Sequence, residues 1–202
     1  TVLDANDCEV TEFLAVNAPI LVDVDLGTEK TINLGENAAI TAILNVPFDS
    51  LEYILWSTTD SLNCEGCGVS VVVAPLFTTT YAVSVLDVNG CSDEDEVTVF
   101  VDRTKYVYVP NAFSPDGNLT NDVFMIFSKD NHVKNIKSFL VFNRWGESVF
   151  QYYNFEPNNP TYGWDGSHRG EPMNAGVFVW FAEIEFIDGA TELYEGDVIL
   201  MR

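Results

Sequence analysis

Short β-rich runs closed by Gly, Pro or Asn follow one another along this chain, and no convincing helical period interrupts them. In the first half the runs cover 20–25, 30–34, 38–45, 51–57, 69–74, 78–87 and 96–102. Turn residues separate them: Gly27, Gly35-Glu36-Asn37, Pro47, Gly66, Gly68, Pro75 and Asn89-Gly90. About seven short strands at this spacing predict an immunoglobulin-like sandwich. Trp56 is expected as its buried core tryptophan. Tyr81 follows three threonines where a tyrosine corner would sit. In the second half the runs cover 122–127, 136–142, 148–153, 177–187 and 193–201. Phe139 and Val141 alternate with Leu140 and Phe142, so both faces of that strand are apolar and both are expected to be covered. The fold class expected is all-β, with two consecutive antiparallel β-sandwich, Ig-like domains.

The division between them falls at residues 109–124, V-P-N-A-F-S-P-D-G-N-L-T-N-D-V-F. Pro110 and Pro115 cannot both lie within a central strand, because proline fixes φ and lacks an N–H. The expected organisation is a tail strand of a preceding repeat or linker over 1–18, an Ig-like repeat over 19–103, and a second domain over 104–202. Two halves of about 100 residues can each bury a core unaided. An internal echo supports the first boundary. Asp4-Ala5-Asn6-Asp7-Cys8 and Asp87-Val88-Asn89-Gly90-Cys91 each precede a strand-like run, and their cysteines stand 83 residues apart. Thr1-Val2-Leu3-Asp4 does not read as a natural start, so the chain is expected to be part of a longer protein.

The formal net charge is -22, with 17 Asp/Glu against one Lys in residues 1–100 and 14 against eight Lys/Arg in 101–202. So acidic a surface repels nucleic acid and anionic lipid, and neither is expected as a partner. No apolar run reaches the roughly 20 residues that span a bilayer. A monomer is expected.

Cys64 and Cys67 flank Glu65-Gly66. Such a C-x-x-C serves as a zinc half-site, a redox pair or a local disulfide. A zinc ribbon needs a second C-x-x-C or paired His, and a redox pair usually opens a helix. A Cys64–Cys67 disulfide is the reading preferred here. Whether Cys8 and Cys91 pair is left open.

Catalysis finds little in this sequence. His132 and His168 both stand in polar loop contexts, where a solvent-exposed side chain is expected. Neither a metalloprotease, a hydrolase nor a phosphate-loop motif occurs. Glu183 and Glu185 share one strand face, which suits a solvated surface better than a pair of carboxylates facing across a cleft. Asp116, Asn118 and Thr120 mimic the start of an EF-hand loop. Asn121 and Phe127 then stand where that loop needs Gly and Glu. Two readings remain: a looser calcium site built from Asp116, Asn118, Asn121 and Asp122, or a hydrogen-bonded turn. No other cofactor is expected.

Two stretches resemble known families. Residues 19–103 resemble the Ig-like or PKD-like repeats of large surface proteins of gliding, polymer-digesting bacteria. The resemblance rests on Trp56-Ser57, Asn63-Cys64-Glu65-Gly66-Cys67, Thr78-Thr79-Thr80-Tyr81 and Asp87-Val88-Asn89-Gly90-Cys91-Ser92. The second half carries five separated motifs in order. They are Tyr108-Val109-Pro110-Asn111-Ala112-Phe113-Ser114-Pro115 with Asn121-Asp122-Val123-Phe124, then Phe142-Asn143-Arg144-Trp145-Gly146-Glu147, then Gly163-Trp164-Asp165-Gly166. Gly170-Glu171-Pro172-Met173-Asn174-Ala175-Gly176-Val177-Phe178 and Gly196-Asp197-Val198-Ile199-Leu200-Met201-Arg202 follow. This half is similar to the gliding-motility-associated C-terminal domain, the type B sorting domain of type IX secretion cargo in Bacteroidetes. The resemblance implies a secreted, cell-surface, adhesin-like protein and no enzyme. It implies as partners the type IX machinery, outer-membrane shuttle proteins and PorP/SprF-like proteins, so that contact with the outer-membrane surface runs through protein. Arg202 would be the natural C-terminus. The family usually reads N-G-D-G-x-N-D where this chain has Asp116-Gly117-Asn118-Leu119-Thr120-Asn121-Asp122, which puts a shared metal site in doubt.

Asn143, Arg144, Trp145, Gly146, Trp164 and Asp165 are the partner-recognition candidates, with Arg144 able to stack on Trp145 or pair with Asp165. From another functional class, exposed Tyr152, Tyr153, Tyr162 and Trp164 would suit a carbohydrate-binding module.

Overall fold

The computed structural model describes residues 21–58, 64–65 and 67–202, together with the strands β1 (Val2–Leu3) and β2 (Glu9–Val10). Cys8 and most of the expected tail strand over 1–18 lie outside the described residues.

The N-terminal sandwich comprises β3 (Val24–Asp25), β4 (Lys30–Asn33), β5 (Ala38–Thr41), β6 (Ile43–Leu44), β7 (Leu51–Thr58), β8 (Cys64–Glu65), β9 (Ser70–Val73), β10 (Thr79–Asp87) and β11 (Ser92–Asp102). Its larger sheet has the order β4-β11-β10-β7-β8. All neighbours are antiparallel except β4, which lies parallel to β11. The strand pairs β5–β9 and β3–β6 supply the facing layer. The expected run 38–45 divides because Ala42 donates its N–H to Val69 O at 2.8 Å; before it the chain pairs with β9, after it with β3. Period-2 alternation sends Tyr81, Val83 and Val85 inward, where they meet Trp56, Ile54, Ile40 and Val99. Trp56 is fully buried, and its Nε1–H donates to Gly68 O at 2.8 Å.

The acidic run at the start of β11 does more than face water. The inward-leaning Asp93 and Asp95 carboxylates accept the N–H groups of Val24 and Leu26 at 2.8 and 2.7 Å. Side chains thereby tie down a segment 69 residues away that the β11 backbone does not pair with.

The C-terminal sandwich comprises β12 (Val107–Tyr108), β13 (Ala112–Phe113), β14 (Phe127–Ser128), β15 (Val133–Phe142), β16 (Ser148–Phe155), β17 (Ser167–His168), β18 (Glu171–Pro172), β19 (Gly176–Phe186) and β20 (Thr191–Leu200). Its main sheet, β13-β20-β19-β15-β16, repeats the plan of the first, with β13 parallel to β20 and the rest antiparallel. The opposite layer is mostly loop: the pairs β12–β14 and β17–β18, a 3-10 turn at Pro160–Tyr162, and a bridge between Phe124 and Trp164. The expected strand 122–127 shrinks to that bridge and β14. Gly163 makes the bridge possible, since a Cβ there would collide with Val123 Cγ1 and with Phe124 O at 2.8 Å. Loops leave wide gaps, and Phe113, Phe124, Phe139, Trp164, Phe178 and Trp180 fill them. Their rings contact one another at centroid distances of 4.8 to 6.2 Å.

Between the two cores, Arg103 pairs with Asp188 at 2.6 Å and lays its guanidinium over Phe77. Lys129 meets Glu36 at 2.9 Å, and this ion pair holds the Glu36 carboxyl down at about 2. His132, expected in solvent, is instead fully buried beside the edge of Tyr106. Its backbone explains the enclosure: His132 O accepts Ile187 N–H at 3.1 Å and His132 N–H donates to Lys129 O at 3.3 Å, so the residue is drawn under the β19–β20 turn. Both ring nitrogens lack a hydrogen-bond partner. Burial, and secondarily Lys129, lowers the pKa of the imidazole, which keeps it neutral.

Candidate recognition surface of the C-terminal sandwich

The hairpin between β15 and β16 is built by one side chain. Asn143 Oδ1 accepts the N–H groups of Trp145 and Glu147, both at 3.0 Å, while its Nδ2 donates to Glu147 Oε2 at 3.2 Å. Gly146, at φ +80°, closes the turn and donates to Asn143 O at 2.9 Å. Asn143 is buried by this work, and Gly146 serves the backbone. What the hairpin offers outward is Arg144 and Trp145. Trp145 is 77% exposed, and the Arg144 guanidinium lies 4.8 Å from its ring centroid. Of the two partners expected for Arg144, the ring is the one it takes. Asp165 Oδ1 accepts from Ser167 N–H at 2.9 Å and Ser167 Oγ at 2.6 Å instead, which caps its own turn.

Trp164 takes the packing role open to it in the sequence and drops out of the recognition and sugar-binding candidates. It is 1% exposed, bridged to Phe124 and packed on Phe113 and Phe178, with its Nε1–H donated to Ser167 O at 2.7 Å. A ring so placed touches neither a protein partner nor a sugar. Tyr152 and Tyr153 are successive residues of β16, so their rings point to opposite faces of the sheet. Tyr152 packs against Tyr162 at 5.1 Å. The four aromatics expected as a carbohydrate platform are therefore not on one surface.

Under Trp145 the hairpin and residues 172–178 enclose a groove of about 190 Å3, floored by Met173, Val177 and Phe178. The groove opens onto the outward face of the main sheet, which sequence reasoning expected to be covered. It is not. Val177 and Val179 of β19 are 58% and 55% exposed. Phe181 continues their row, and its ring stacks on Phe142 of β15 at 5.6 Å. Cross-strand register places Leu140 beside Phe181 and Ile199 of β20 beside Val177. The signal was present in the sequence: apolar residues at both parities of β15 and at the start of β19. Parity tells which face a side chain takes, not whether anything lies over it.

The Asp116–Asp122 loop uses its acids internally. Asp122 accepts the N–H groups of Gly117 and Leu119 at 2.8 and 2.7 Å; Asp116 accepts from Asn118, and Asn118 Oδ1 from Thr120. Asn121 gives its backbone oxygen to Ser114. The four candidate calcium ligands thus form a ladder of short-range caps, and Leu119 stands at its tip, 94% exposed. Cys64 and Cys67 form a disulfide with Cα atoms 5.7 Å apart, while Cys91 is a free thiol.

Residues 107–200 match the CHU_C Type IX secretion signal domain. A domain of this family implies interaction with the type IX secretion machinery and export to the cell surface, and it points to a non-catalytic role. No curated protein matches the chain. Solved structures align loosely. One is a 1.5-MDa bacterial ice-binding adhesin (12% identity, 91% of this chain, 65% of that chain, TM-score 0.32). Another is Drosophila N-cadherin EC1-4 (10%, 91%, 50%, 0.34). A third is dimeric latent PorU from Porphyromonas gingivalis (13%, 90%, 20%, 0.31). The chain spans less than two thirds of each. At such TM-scores these likenesses carry no weight; the identification rests on the family match.

Proposed function

We propose that this chain is the C-terminal part of a large, adhesin-like surface protein. Residues 104–202 form a sorting signal that the export machinery reads in its folded state, and residues 19–103 are a stalk repeat that carries it. The match of 107–200 to the secretion signal family supports the reading most directly. A fully built core argues for the folded state: Trp164 and Trp180 are buried with Phe113, Phe124 and Phe139, so the motif residues exist as a surface only after the sandwich has closed. The readers are outer-membrane shuttle proteins and PorP/SprF-like proteins. No catalytic role is assigned to the chain.

The test is a fusion of residues 104–202 to a periplasmically folded reporter in a host with type IX secretion. Surface-exposed or released reporter is expected. A reporter that stays in the periplasm overturns the reading.

A further inference from the structure

The two main sheets have one topology and opposite outward faces. In the N-terminal sandwich the outward row of β10 is Thr80, Ala82 and Ser84; its cross-strand neighbours on β11 are Thr98, Glu96 and Glu94. Thr80 and Thr98 even join hydroxyls at 3.0 Å. The centre of that face is polar, with Leu55, Tyr53 and Leu86 toward its β7 side. At the equivalent strands of the C-terminal sandwich stand Val177, Val179, Phe181, Leu140, Phe142 and Ile199. An apolar strip on an acidic, otherwise well-solvated chain marks a surface that a partner covers.

The charges around the strip state what kind of partner. At its far end the carboxylates are neutralised: Glu185 pairs with Lys134 at 2.7 Å, and Glu183 with Lys137 at 3.7 Å. Beside the strip they are not. Asp197 lies directly opposite Val179 and Glu195 directly opposite Phe181, both exposed, and neither takes an ion pair among the described residues. A second copy would bring these carboxylates toward its own on a chain of net charge -22, and anionic lipid would be repelled as well.

We infer that the outward face of the β15–β19–β20 sheet, extended by the groove under Trp145, is the docking surface for a protein that presents apolar side chains flanked by Lys or Arg. Its apolar residues cover Val177, Val179, Phe181 and Ile199, and its cations meet Asp197 and Glu195. This rests on the sorting-signal reading and adds to it the surface that is read and the charge of the reader.

The test uses the full chain in a secreting host. One variant is the double substitution Glu195→Lys and Asp197→Lys, which alters only solvent-exposed groups. A second is Val177→Thr with Val179→Thr, which keeps the β-branched shape and removes the apolar contact. The control is Ser84→Lys with Glu96→Lys on the polar face of the first sandwich. Thermal unfolding of each purified variant verifies the fold. Export of either C-terminal variant is expected to fall about tenfold or more, the scale of losing a desolvated contact at the centre of an interface, while the control matches wild type. Wild-type export with unchanged export of both folded variants overturns this surface and leaves the sorting-signal reading standing. Failure of the wild-type chain to be exported overturns that reading itself. A concentration-dependent dimer that Val179→Thr dissolves overturns the cationic partner in favour of self-association.

Discussion

Two sandwiches with the same sheet order have solved the same packing problem with different residues. The N-terminal core is aliphatic, with Trp56 and Tyr81 its only aromatic members among the described buried residues; half of the sixteen buried residues in the C-terminal core are Phe or Trp. The cause lies in the second layer. Where β5 and β9 run as regular strands, the inter-sheet gap is even, and Val and Ile at alternate positions fill it. Where loops replace the second sheet, large rings, six Phe and two Trp, fill the core. Trp164 is the clearest case, since one side chain fills volume and pins the Ser167 turn. A contrast holds outside as well, where the β10–β11 face is polar and the β15–β19 face apolar.

Several measurements break or sharpen this contrast. Trp164→Ala removes the ring that bridges two loops and the core, and is expected to cost the C-terminal sandwich about 3–5 kcal/mol. Calorimetry should show its transition moving well below that of the N-terminal sandwich; a single unshifted transition would contradict two separate cores. Next in size, Asn143→Ala strips the hairpin of three side-chain bonds, two of them to Glu147, and should cost about 1–3 kcal/mol. Chemical denaturation followed by Trp145 fluorescence is the readout. Asp95→Ala is the N-terminal counterpart: the Leu26 amide loses its acceptor, for about 1–2 kcal/mol in that sandwich alone. Amide exchange at Leu26 should accelerate while the Asn143 hairpin stays protected.

His132 sharpens the comparison by pH, because the N-terminal sandwich has no described histidine. Burial lowers its folded pKa below the ordinary value, so the native state binds fewer protons than the unfolded one. Its contribution is constant above the unfolded pKa and is lost as pH falls below about 6.5. Protonation would set a cation under Tyr106 beside Lys129, with Glu36 the opposing charge. The C-terminal melting temperature should drop between pH 7.5 and 5.5, and His132→Phe should flatten that slope. The smallest effect belongs to Glu36→Gln. Its partner Lys129 is solvent-exposed, so loss of the ion pair should leave both melting temperatures nearly unchanged.

The long strands were legible because alternation and turn residues are local signals: β10, β15, β16, β19 and β20 lie within a few residues of where the sequence puts them. The Cys64–Cys67 disulfide was legible from its spacing and from the lack of a second ligand pair. Short elements were not: β12 and β13 are held by partners distant in sequence, and β17 and β18 form a two-residue hairpin among turn residues. His132 misleads because it follows Asp130 and Asn131, which read as solvent, while the segments that bury it arrive from elsewhere. The outward strip of β19 misled in the opposite sense, because its apolar residues imply a covering layer that the described residues do not supply.

The parallel edge pairing carries one more consequence, for timing. Ala112 meets Ile199 and Phe113 meets Leu200, 87 residues along the chain. Loop closure over such a span is slow and comes late, and a sheet of high contact order gains little before it. Ile199 N–H donates to Asn111 O, and Met201 N–H to Phe113 O, both at 2.9 Å, so the opening loop is fastened only when β20 arrives. A recognition surface made of β15, β19 and β20 is therefore absent from any chain that stops short of β20. Its presence reports that folding has taken in β20.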